Sequence, residues 1–182
     1  MRTEAGTTRQ LCAAVCVGAC VATLQLAGCA ARHASVADAF PVSAVAAPWI
    51  LEGEIWSGAF VAAAPALGSD ADQWRDPQPT RVWLAAYCHE SDRTSRLIAR
   101  AFEFETAAEA RTLFDRVRPV GTKNFSAGET GCWTGDGVLF VWGRLVFDIF
   151  ASPASWQNEL QAAMLAQFIQ KQMPPGLPGA PQ

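Results

Sequence analysis

His89, Glu90 and Asp92 lie within one short stretch and carry the ring nitrogen and carboxylate oxygens that could hold a metal ion. One histidine beside two surface acids makes no metal-site pattern, so a polar turn is the better reading. Cys88 next to His89 has the residue types of a thiol nucleophile and its base. In a strand, however, adjacent side chains point to opposite faces, and the imidazole could not take the thiol proton. Ser57, Ser69, Ser126 and Ser155 all lack the Gly-x-Ser-x-Gly context of an activated serine. The Gly128–Gly137 segment (GETGCWTGDG) could cradle an anion, and Glu129 with Asp136 could help bind a cation. It lacks the lysine of a phosphate loop and the acidic spacing of a calcium loop, which leaves a glycine-rich hairpin approach. No catalytic residue, metal or cofactor is expected.

Two further features concern packing and recognition. Asp148 interrupts the apolar run LVFDIF, and at an offset of 48 residues it corresponds to Arg100. Were the two strands neighbours, these charges could pair; the preferred reading puts both on a solvated sheet face. Seven tryptophans stand against one tyrosine. Trp83, Trp142 and Trp156 sit where core packing explains them. Trp49, Trp56, Trp74 and Trp133 fall at element ends or in loops, where an aromatic could meet an apolar ligand or a partner.

The N-terminal segment sets the compartment. Met1–Gln10 is polar, with Arg2 and Arg9 outweighing Glu4, and Leu11–Leu26 is an apolar run of 16 residues, short for a membrane span. Leu26-Ala27-Gly28-Cys29 closes it. Charged start, apolar core and this ending resemble the signal peptide and lipobox of bacterial lipoproteins. The resemblance implies that residues 1–28 are removed, that Cys29 carries the lipid, and that the membrane is a partner through that lipid. Residue 30 is alanine rather than the aspartate that retains lipoproteins at the inner membrane. The family's sorting rule therefore implies an outer-membrane location facing the periplasm in a cell with two membranes.

Removing the leader simplifies the cysteines. Cys12, Cys16 and Cys20 are discarded as small apolar residues, Cys29 is acylated, and Cys88 and Cys132 remain. In an exported protein a Cys88–Cys132 disulfide is expected, closing a loop of about 45 residues and contributing about 4 kcal/mol less any strain. Without Arg2, Arg9 and Glu4, the chain keeps 12 basic and 16 acidic residues, a net charge of −4. Nucleic acid is therefore not an expected partner.

The elements that must position these residues form one domain over residues 48–173. Residues 29–47 read as lipidated cysteine and flexible tether, about 20–25 Å long on average, and residues 174–182 as a disordered Pro/Gly tail. Trp49–Ala62 reads as a strand or hairpin, Gly68–Thr80 as a loop, and Arg81–Cys88 and Arg96–Glu103 as strands. Thr106-x-x-Glu109 has capping-box spacing before a helix with Ala110, Leu113, Phe114 and Val117 on one face. A meander follows through Trp142, with a turn at Gly143-Arg144 and a returning strand at Leu145–Ala151. Ser152-Pro153 is expected to start a second helix, with Trp156, Leu160, Ala163, Met164 and Phe168 facing the core.

Arg96-Leu97-Ile98-x-x-x-Phe102 and Arg144-Leu145-Val146-x-x-x-Phe150 match at the same offset of 48, hinting at strand–strand–helix twice. The expected fold is α+β, an antiparallel sheet with two helices on one face. The element order and the Val141–Phe147 hairpin loosely resemble α+β domains of uncharacterised envelope lipoproteins, which implies fold class only. The expected function is a lipid-anchored, non-catalytic envelope protein that binds a partner protein or an apolar ligand. The alternatives are a structural accessory of an envelope complex and, less favoured, a small hydrolase.

Overall fold

The computed structural model describes residues 35–42 and 48–173. The lipobox, the three leader cysteines, the rest of the expected tether and the 174–182 tail lie outside the described residues. The fold class is α+β: the described residues form seven antiparallel strands and three α-helices. The strands are β1 (Trp49–Leu51), β2 (Trp56–Gly58), β3 (Arg81–His89), β4 (Arg96–Glu103), β5 (Thr130–Trp133), β6 (Gly137–Trp142) and β7 (Leu145–Ser152). Their order across the sheet is β1-β3-β4-β7-β6-β5, with β2 also paired to β3. The helices are α1 (Phe60–Leu67), α2 (Ala107–Val117) and α3 (Trp156–Gln172).

The helices do not share one face. Val82, Phe102, Val146 and Val141 point to the side covered by α1 and α2, where Phe60, Ala63, Leu113 and Phe114 close the core. Trp83, Ala99, Phe147 and Phe140 point to the other side, under Ala162, Ala166 and Ile169 of α3. Strand alternation makes both faces apolar, so both need a helical cover. The three residues after β7 carry the chain to the face opposite α2, which breaks the relation expected of the two RLI/RLV segments.

α2 starts as its sequence dictates. The Thr106 side chain accepts from the Glu109 amide, and Glu109 accepts from the Thr106 amide. α3 is capped by Ser155 rather than Ser152, and Ser152 ends β7. Its core face is also rotated from expectation: Ala162, Ala163, Leu165, Ala166 and Ile169 are buried, whereas Trp156, Leu160 and Met164 are exposed. Small alanines let the helix lie close to the sheet, and the larger side chains turn outward.

Two elements were not legible as such. α1 occupies the end of the expected hairpin. Gly68–Trp74, expected as a loop, is 310-helical, with Ala71 and Trp74 on one apolar side at the i, i+3 spacing of that helix. On the α3 side, Ser35 caps a 310 turn at Val36–Ala39, and Val36, Ala39 and Phe40 are buried in the core. This part of the expected tether is folded domain.

Candidate functional site

The sheet builds the most chemically distinctive site directly from its register. β4 and β7 are neighbours, and Arg100 stands opposite Asp148. The row continues to Leu84 on β3 and Leu139 on β6. Arg100 Nη1 lies 3.6 Å from Asp148 Oδ2 and donates to Asp70 Oδ2 at 3.2 Å. Its guanidinium carbon sits 4.5 Å from the centre of the Phe150 ring. Arg100 is only 8% exposed, so the solvated-face reading of this pair is corrected. The 48-residue offset was the signal in the sequence; Asp70, carried by the 310 segment, left none.

Asp148 lines a cavity of about 180 Å³ together with Asp70, Trp74, Thr134, Asp136 and Phe150. Asp136 reaches it from the β5–β6 turn, which depends on its glycines. Gly135 adopts φ 94°, and a Cβ on Gly137 would stand 2.0 Å from the Ile149 carbonyl oxygen. Thr134 Oγ1 donates to Asp136 Oδ1 at 2.9 Å. Burial pushes the Asp148 carboxyl up to about 7; Arg100 opposes this, while Asp136 and Asp70 reinforce it. The carboxyl therefore exchanges its proton near neutral pH.

Phe150 also lines a second, open concavity of about 450 Å³, with Leu84, Ile98 and Ala86 as floor and Glu52, Glu54, Arg96 and Arg100 as charged margin. Here the row Ala86–Ile98–Phe150 is half-buried. Elsewhere on this face α1 and α2 complete the cover.

The four tryptophans do not converge. Trp49 is buried, with its ring edge-on to His89 at 5.1 Å, and Trp74 is buried and stacked on Phe102 at 4.2 Å. As core residues, these two offer a partner no open surface. Trp56 is partly exposed on β2, its ring over Gly58. Trp133, edge-on to Phe125, lines a groove of about 620 Å³ with Trp156, Leu160 and Lys123 on the α3 side.

Cys88 and Cys132 are both buried free thiols, which corrects the expected disulfide. They lie on β3 and β5, separated by β4, β7 and β6. Four strand spacings of about 4.8 Å put them about 19 Å apart, far beyond the ~7 Å Cα limit for a bridge. Arg93 Nη1 donates to Cys88 Sγ at 3.2 Å, and burial pushes the Cys132 thiol up.

The remaining candidates are structural in their contacts. Asp92 accepts from the Ser95 hydroxyl and from the Thr94 hydroxyl and amide, which together hold its carboxyl down at about 2. His89 Nδ1 accepts from the Ser91 amide. Glu129 pairs with Arg111 and accepts from the Gly143 amide, at the opposite end of β5 from Asp136. Those two acids cannot share a cation.

The chain matches no known family, no curated protein and no solved structure. Its capabilities follow from its own residues. Convergent Asp70, Asp136 and Asp148 meet a minimal requirement for acid–base chemistry. The cavity they line, however, is below the roughly 300–1,000 Å³ of ordinary ligand pockets. Thr134 is committed to Asp136, and among the described residues the only histidine, His89, is in the β3–β4 turn region. Among the described residues no three His, Cys, Asp or Glu side chains are placed so that they could hold a metal ion together.

Proposed function

We propose that this is a lipid-anchored bacterial envelope protein, held through Cys29 and facing the periplasm from the outer membrane. In this reading its domain binds a partner protein without catalysis. The half-buried sheet floor of Ile98 and Phe150, beside the Arg100–Asp148 pair, carries the reading. Apolar centre and charged margin are the anatomy of a protein-recognition surface. An apolar small-molecule ligand is less favoured, because the loop tryptophans do not form a shared cleft.

Recruitment by strand addition is also less favoured. The outer edge of β5 is covered by Lys123–Phe125: the Phe125 amide donates to the Gly131 carbonyl at 2.9 Å, and the Trp133 amide donates to the Lys123 carbonyl at 3.0 Å. At the other edge β1 and β2 have three residues each, which gives little template for pairing.

The test is site-specific photocrosslinking of the full-length lipidated protein in intact cells. A crosslinker at Ile98 should capture one discrete partner, whereas one at exposed Gln167 on α3 should not. Equal capture at both positions, or none at Ile98, would refute the binding surface.

A further inference from the structure

α3 presents an apolar stripe to the outside. Trp156, Leu160 and Met164 are 69%, 46% and 62% exposed, spaced at i, i+4 and i+8. The outward face of a helix on a water-soluble domain is ordinarily polar. At its N-terminal end the stripe runs into the groove walled by Trp133 and Lys123. Three large apolar side chains and a second tryptophan on one side form a patch of the kind that marks an interaction surface.

The length of chain leading to this side identifies the occupant. Ser35 begins the described domain on the α3 face, where the Val36–Ala39 turn packs beside α3 in one core. Five residues, 30–34, separate it from Cys29. Six Cα steps reach at most about 20 Å, even fully extended. A helix with its side chains is about 10–12 Å across. An acylated Cys29 therefore keeps the bilayer within reach of the outer surface of α3, while the Ile98–Phe150 floor lies beyond the sheet.

Resting on the lipid-anchor reading above, we propose that the outer face of α3 seats the domain on the lipid surface. Trp156, Leu160 and Met164 enter the boundary between headgroups and acyl chains, and Trp133 sits at the headgroup level, where amphipathic indole rings are favoured. The lipid then does more than retain the protein. It orients the domain, turning the candidate partner surface away from the membrane.

The experiment uses the full-length lipidated protein in phosphatidylethanolamine/phosphatidylglycerol vesicles. Nitroxide labels are placed through Leu160→Cys, Met164→Cys or, as a control on exposed α1, Val61→Cys. Mass analysis of the N-terminal peptide reads acylation of Cys29 separately. Acylated protein with positions 160 and 164 several-fold more accessible to oxygen than to a water-soluble nickel chelate, and position 61 the reverse, supports the proposal. Acylated protein with all three labels equally open to nickel overturns the seating and leaves the anchor standing. Labels at 160 and 164 shielded from both quenchers would indicate a second copy or another protein on the stripe, which also overturns it. An unmodified Cys29 overturns the anchor reading itself.

Discussion

Replacing Asp148 with asparagine should stabilise the domain, and increasingly so as the pH rises. The amide would keep the shape of the protonated carboxyl and leave Arg100 its hydrogen bond to Asp70. In the native protein the Asp148 carboxyl is pushed from 3.8 up to about 7. The folded state therefore keeps a proton that the unfolded chain has lost between about pH 4 and pH 7. Stability conferred by the neutral form is present below that window and is lost as pH rises through it. At 1.36 kcal/mol per unit, the three-unit difference corresponds to about 4 kcal/mol. Water entering the adjoining cavity reduces this, so a gain of about 2–4 kcal/mol above pH 7 is expected. Urea unfolding of both proteins at pH 4, 5, 6, 7 and 8 measures it. The two should coincide near pH 4, diverge up to about pH 7 and level off towards pH 8, with a rise in Tm of about 10 °C for a domain of this size. A pH-independent difference, or an asparagine variant less stable at pH 8, would refute the reasoning. The second outcome would mean that attraction to Arg100 outweighs the loss of hydration.

Protein purified without reductant and unfolded in guanidinium should titrate two thiols, Cys88 and Cys132; a count of zero would contradict their separation across the sheet. Thr106→Ala should cost about 1 kcal/mol in denaturant unfolding by removing the α2 cap, and no loss would mean that the reciprocal bonds with Glu109 contribute nothing net. Gly137→Ala should cost about 3 kcal/mol, because its methyl would meet the Ile149 carbonyl; near-wild-type stability would show that β6 can move away.

Local signals were readable where a rule depends on near neighbours. The Thr106–Glu109 box, the positive φ of Gly143 in the β6–β7 turn and the alternation of β3, β4 and β7 all belong to that class. The rotation of α3 did not. Trp156, Leu160 and Met164 form as good an apolar stripe by spacing as Ala162, Leu165 and Ile169. Which stripe turns inward depends on how closely the helix can approach the sheet. Alanine methyls permit close packing, and that is a property of both surfaces together.

By itself the chain determined the α+β class, most of the strands, the cap of α2 and the numerical alignment of Arg100 with Asp148. These follow from residue periodicity and from hydrogen bonds that close within a few positions. Only the tertiary structure decided that β4 and β7 are adjacent, that Asp70 joins their ion pair, and that Cys88 and Cys132 lie strands apart. It also decided that helices cover both faces and that residues 35–42 belong to the domain. Each of those depends on strand order and on which side a connection crosses. Contacts between residues far apart in the chain set both, and residue types alone leave several arrangements with the same local pattern.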